Sequence, residues 1–204
     1  MCYDEEHLYV KHNAMNQQYL TKNEYIQCND DIYNSDVVEM FITPYIEEQP
    51  HCYNELDISP FNVPFQAGIY NANLNQSGIV GTDFGCESDF HEIEHKTTQN
   101  MDSNNWMADM SFSWKLINCP YNCPLSEYCN DAEATDNTSV KSTNSINTIN
   151  NVKDIYRVNF FRINELIETT LCNSTICEYL AWNPTLANPP AFHVPTKFGY
   201  LIPI

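Results

Sequence analysis

Basic residues are scarce in this chain: nine Lys and Arg stand against 27 Asp and Glu, a formal net charge of −18. Such a surface repels phosphate backbones and anionic lipid headgroups, which argues against nucleic-acid and membrane-surface partners. Long apolar runs are missing too, and no stretch approaches the roughly eighteen consecutive apolar residues that a spanning helix requires. The first ten residues, MCYDEEHLYV, hold no basic segment followed by a continuous apolar one, so no signal peptide is visible. Sustained helical periodicity is absent as well; the nearest candidate, NELIETTL at 164–171, has room for one or two turns.

What is present is apolar, aromatic and rich in cysteine. Across 204 residues, 43% are hydrophobic and 13% aromatic, with 13 Tyr and 10 Phe, enough to bury a core that offsets chain entropy. The length suits one domain, because all-β sandwiches of this size form a single core. The acidity is compatible with solubility, a neutral ligand or divalent cations.

The nine cysteines and three N-x-S/T triplets, at Asn75, Asn137 and Asn173, suit an oxidising, extracellular or cell-surface setting and a disulfide framework. Cys172 with Cys177 is the pairing favoured by proximity in sequence, and the odd count leaves one thiol over. Zinc at Cys119, Cys123 and Cys129 lacks a nearby fourth ligand and the tight pairing of structural zinc sites. Secretory chemistry without a visible leader leads to the expectation that the sequence as given has lost its beginning.

Period-two alternation dominates. It runs through HLYVKH (7–12), VVEMFITP (37–44), CYNELDIS (52–59), GIYNANL (68–74), WMADMSFSW (106–114), YRVNFFRI (156–163) and FGYLIPI (198–204). Strands without helical crossovers predict an all-β, antiparallel β-sandwich, immunoglobulin-like or jelly-roll-like, with short helical turns in its loops. Trp106, Ala108, Met110, Phe112 and Trp114 share one face of their strand and read as core, with Phe160 beside them. Residues 132–153 carry no aromatics and an excess of Ser, Thr and Asn, which predicts a disordered insertion within one domain spanning 1–204.

Taken in order, YNSDVVEMFITP, YNELDISP, WMADMSFSW, YRVNFFRI and YLAWNPTLANPPAFHVPTKFGYL resemble the family 9 carbohydrate-binding modules and the DOMON-like sandwich superfamily around them. The resemblance covers residues 7 to 204. Two departures accompany it: the strands that the family carries ahead of HLYV are absent, and the 132–153 insertion is longer than the family needs. The resemblance implies non-catalytic carbohydrate binding, linked to polysaccharide breakdown, on an oligo- or polysaccharide partner.

It also implies a site. Two aromatics clamp the sugar in the family, and Tyr33, ahead of the V-E-x-F strand, and Phe192, in the final box, stand at those positions. Aromatic rings pack against the C–H face of a sugar and planar polar groups read its hydroxyls. Glu39 and Asn54 are the carried-over polar contacts, Arg157 is a neighbour on another strand, and Trp182 is a further aromatic candidate. Because these rings are smaller than tryptophan, the expected affinity is micromolar to millimolar, about −8 to −4 kcal/mol. A structural calcium ion is also implied, for which Asp30, Asp31 and Asp36 offer hard oxygen ligands.

Three other readings compete. A glycosidase needs two carboxylates about 5 to 10 Å apart, one with a raised pKa, and Glu39 with Glu55 is the available pair. A b-type haem domain needs axial ligands, for which Met40, Met110 and His193 are the candidates. A cell-surface interaction domain would keep the fold without the sugar site.

Overall fold

The computed structural model describes residues 1–20, 24–84, 93–100, 104–120, 123–124, 155–169 and 171–204. The 132–153 insertion and the Asn137 triplet lie outside the described residues. Among the described residues eleven strands are formed: β1 (Cys2–Tyr3), β2 (His7–Ala14), β3 (Val37–Pro44), β4 (Cys52–Ile58), β5 (Pro64–Asn71), β6 (Ile79–Phe84), β7 (Ile93–Asn100), β8 (Asn105–Ser113), β9 (Tyr156–Glu165), β10 (Cys177–Ala181) and β11 (Gly199–Leu201). A short helix, α1 (Trp114–Asn118), follows β8 and is capped by the Ser113 side chain, which accepts from the Leu116 amide.

The strands make two antiparallel sheets, as the alternation predicts. The smaller has the order β1-β2-β8-β7; the larger runs β10-β9-β3-β4-β5-β6, with β11 also paired to β9. Leu8, Val10, Trp106, Ala108, Met110 and Phe112 of the small sheet meet Val38, Met40, Ile42, Leu56, Ile58 and Val158 of the large one in a single core. Trp106 and Trp114 are buried there, as expected from their spacing, and their indole N–H groups donate to Gln17 and to the Asp4 carbonyl.

The large sheet is unusual in being buried on both faces. Val37, Phe41, Tyr53, Phe65, Ala67, Ile69, Phe161 and Ile163 point away from the small sheet and pack with Ile32, Cys177 and Phe198 into a second cluster. This explains why β3 and β4 are buried at every position: each residue of these central strands belongs to one core or the other. The polar members of the outward set, Glu39, Glu55 and Asp57 among them, thereby end up in a largely apolar layer.

The helical expectation for 164–171 is not met. Asn164 and Glu165 complete β9, paired with Glu178 and Cys177, and the Glu165 amide donates to Asp36. The Cys172–Cys177 disulfide, with a Cα separation of 5.4 Å, folds the following segment back onto β10. A second disulfide joins Cys52 to Cys123, and Cys28 and Cys119 are also disulfide-bonded. Oxidised Cys119 and Cys123 are not available as zinc thiolates. Among the described residues the leftover thiol is Cys2, which is exposed. No helix among the described residues is long and apolar enough to cross a membrane.

Candidate functional site

The outward face of the large sheet is only partly covered. The segment 190–193 crosses it, and between that segment and the sheet lies a pocket of about 460 Å³ lined by Tyr33, Glu39, Glu55, Tyr179, Phe192 and His193, with Phe65, Ile69, Ile163 and Gln76 around them. Three of the six residues expected to bind carbohydrate are therefore in one place: Tyr33, Glu39 and Phe192.

Each is positioned by a local reason. Tyr33 sits in the 3₁₀ turn Ile32–Asn34, anchored by the fully buried Ile32, and remains 39% exposed. Its ring meets Phe65 edge-on at 5.5 Å and its hydroxyl donates to Asp31 at 2.8 Å. Phe192 lies flat on Phe161, with centroids 4.2 Å apart, and meets Tyr179 edge-on at 5.9 Å. Glu39 projects from the middle of β3.

The 190–193 segment is held down by a polar network. His193 Nδ1 and the Tyr53 hydroxyl are 3.0 Å apart, and Asn71 Nδ2 donates to both the Tyr53 hydroxyl and the His193 carbonyl. The His193 ring packs against Phe41, centroids 4.9 Å apart, and burial pushes its pKa down to about 4, so the imidazole is neutral at neutral pH. His193 Nε2 lies 3.8 Å from Glu55 Oε2.

Beneath the aromatic walls is an acidic floor. Glu39 faces Asp57 directly across the β3–β4 ladder, and Glu55 stands two residues from Asp57 on the same face of β4. One oxygen from each of the three lies within 4.8 Å of the others. Burial drives all three upward in pKa, and for Glu39 and Asp57 the neighbouring acids push further in the same direction.

The other expected site residues lie elsewhere. Asn54 points to the opposite face of the sheet, where its Nδ2 donates to the Leu116 carbonyl at 3.0 Å and secures α1. Arg157 is on the outward face, but its guanidinium is spent on the carbonyls of Phe198 and Glu48 and is stacked over Tyr200. Trp182 is 58% exposed and outside the pocket, with its ring over Gly199 and edge-on to Phe160.

The three aspartates considered for calcium are not brought together. Asp30 accepts from the Ile26 and Gln27 amides, Asp31 accepts from Tyr33, and Asp36 is buried against Gln17 and the Glu165 amide. Of the haem candidates, Met40 and Met110 are in the core between the sheets, whereas His193 is on the far side of the large sheet. Neither methionine can meet His193 across the sheet. Asn75 and Asn173 are exposed, each carbonyl oxygen held by the Ser77 or Thr175 hydroxyl two residues on.

His193 and Tyr179 are pocket residues that the sequence alone did not assign to this site, and Asp57 joins Glu39 and Glu55 in the buried acidic cluster beside it. Asp57 could have been found, because it shares the face of Glu55 at period two; Tyr179 belongs to β10, a strand too short to announce itself.

No family model matches the chain. Among curated proteins, it is 28% identical over 120 residues to a protein of Arthroderma benhamiae named "Extracellular protein", an alignment of 58% of this chain and 54% of that one. The chain thus spans about half the length of the curated relative it matches. Among solved structures, it superposes on one described as a "putative carbohydrate-binding protein" from Bacteroides uniformis ATCC 8492, with a TM-score of 0.52 and 14% identity over 96% of this chain and 71% of that one. In fold, this chain is like that structure. A family 9 module from Caldicellulosiruptor kristjanssonii, solved with cellotriose, aligns over 98% of this chain and 70% of its own at a TM-score of 0.39 and 12% identity. At 14% identity the likeness to the Bacteroides uniformis structure is one of fold, and what this domain binds has to be argued from its own pocket.

Proposed function

We propose that this domain binds carbohydrate without cleaving it, holding a saccharide in the pocket on the outward face of the large sheet. The observation that carries the reading is that Tyr33 and Phe192, 159 positions apart in sequence, line one pocket above buried carboxyls. Aromatic faces above polar groups are what recognition of a sugar ring requires. The disulfides and the extracellular relative support a secreted or cell-surface location, where an accessory role in polysaccharide breakdown is the natural setting.

A glycosidase reading draws support from Glu39 and Glu55 being neighbours. Yet acid–base catalysis needs two carboxyls whose environments drive their pKa values apart, and here burial raises both. No lysine or arginine forms an ion pair with either among the described residues. Burial raises Glu55 to about 8 and holds Glu39 well above its ordinary value, so at neutral pH both are protonated and neither stands as the ionised nucleophile.

A glycan array probed with the wild-type domain and with Tyr33→Ala and Phe192→Ala tests the reading. Binding to a defined set of glycans, reduced in both variants, is the expected outcome. No binding to any glycan would sink it and favour an interaction domain that keeps only the fold. Incubation of the bound glycan with the domain should release no new reducing ends.

A further inference from the structure

The acidic floor poses a physical problem that the saccharide reading does not solve. Glu39, Glu55 and Asp57 are 2%, 6% and 2% exposed, and an isolated buried carboxylate costs several kcal/mol. Burial of this kind is tolerated when the charge is paired, coordinated to a metal, or removed by protonation. No Lys or Arg pairs with them among the described residues: the arginine on this face, Arg157, is committed to Phe198 and Glu48, and the imidazole of His193, held at Nδ1 by Tyr53, comes no nearer than 3.8 Å to Glu55.

Protonation alone is also unsatisfactory. A protonated carboxyl must donate its O–H to something, yet both oxygens of Asp57 and one of Glu39 are buried with no hydrogen-bond partner. Asp57 is thus an unpartnered polar side chain, fully buried, with an oxygen within 4.8 Å of oxygens from two further acids. Buried polar atoms are rarely left in this state, and an ion that has not been placed is one of the standard reasons.

We propose that Glu39, Glu55 and Asp57 form a buried divalent-cation site, for a hard ion of the calcium type, that borders the pocket through Glu39 and Glu55. The donor set favours that class: three carboxyls supply up to six oxygens, and calcium takes about six to eight oxygens with flexible geometry. Three carboxylates around one divalent ion leave a residual charge of −1 in place of −3. The strands make the cluster rigid, because Glu39 and Asp57 are directly opposed in the β3–β4 ladder and both strands are flanked on either side, by β9 and β5. This site is separate from Asp30 and Asp31, whose side chains are occupied within their own turn, and from Asp36, which accepts from Gln17 and the Glu165 amide.

The test uses the whole domain and metal alone. Terbium(III), a calcium mimic whose luminescence is sensitised by nearby tyrosines, is titrated into EDTA-treated protein at about 0.15 M salt, where the diffuse attraction of the acidic surface is screened. Tyr33 and Tyr179 line the pocket and serve as antennas. The expected result is one saturable site per chain, displaced by calcium, with affinity at least tenfold weaker in both Asp57→Asn and Glu39→Gln. Circular dichroism and melting of each variant verify folding, and two variants guard against one failing to fold. Absence of saturable binding in the wild type, or binding that survives both substitutions, would overturn the site. Because no saccharide is present, this outcome is independent of whether the pocket binds sugar.

Discussion

Tyr53 and His193 lie 140 residues apart in sequence and meet through a 3.0 Å hydrogen bond between the phenol oxygen and Nδ1. The phenol oxygen already accepts from Asn71, so its own proton is available to the imidazole, which burial keeps neutral. This contact ties the segment carrying Phe192 to the start of β4. One wall of the pocket therefore depends on a residue that never faces the ligand.

Removing that tie should loosen the wall without destroying the sheet. Tyr53→Phe keeps the ring stacked on Phe41 but leaves Asn71 and His193 without a shared partner, at about 1 kcal/mol. Thermal unfolding should fall by a few degrees, and the affinity for any glycan that the array identifies should fall with it. Unchanged affinity at a lowered melting temperature would show that the segment is positioned by packing alone.

The aromatic walls should differ in what they contribute. Phe192→Ala removes the stacked pair with Phe161 as well as a pocket wall, so it should lose both stability and binding. Tyr33→Ala, at an exposed turn, should lose binding by about 0.5–1.5 kcal/mol, up to roughly tenfold, with little change in melting. Calorimetry on the same glycan for both variants separates the two effects.

Asp36 makes stability depend on pH. Burial first, and then the charge of Glu165, raises its pKa from 3.8 to about 7. A carboxyl raised in the folded state holds its proton there while the unfolded chain has released it, so folding stability falls as pH rises from about 4 and levels off above about 7. Relative to Asp36→Asn, the wild type should therefore melt higher at pH 5 than at pH 8, a comparison in which the like-signed effect of the other buried acids and the opposite effect of His12 and His193, whose pKa values burial lowers, cancel.

The Cys172–Cys177 and Cys52–Cys123 disulfides should contribute unequally. In the loop-closure picture, Cys172–Cys177, with a separation of 5 residues, contributes about 2 kcal/mol, whereas Cys52–Cys123, with a separation of 71, contributes about 4 kcal/mol. Serine pairs at each bridge should therefore lower the denaturant midpoint in that order. Equal losses would mean that local constraint of the β9–β10 turn outweighs chain entropy.

The strands legible in the sequence were those in which alternation is sharp, such as WMADMSFSW, whose Trp106, Ala108, Met110 and Phe112 all reach the core. Strands β6, β7 and β10 were not anticipated. β7 exposes most of its side chains and so has little apolar signal, and β10 has just five residues. Tyr33, Glu39 and Phe192 were placed by motif order, and the pocket unites them. Asn54 and Arg157 could not be assigned this way: a motif gives the strand, whereas the partner that occupies a side chain is set by which segment packs against it. Asn54 faces α1 and Arg157 faces the Phe198 carbonyl, and neither neighbour is predictable from spacing.

Burial of the large sheet on both sides has a consequence for how this chain can vary. Met40 and Glu39 are adjacent on β3, one against the other sheet and one at the ligand face. A shift of β3 by a single residue along β4 would exchange them, putting a carboxyl into the dry interior and a thioether under the pocket. Mutational drift that loosens strand pairing would thus erase recognition and folding together, while drift confined to outward side chains can alter what is recognised and leave the scaffold intact.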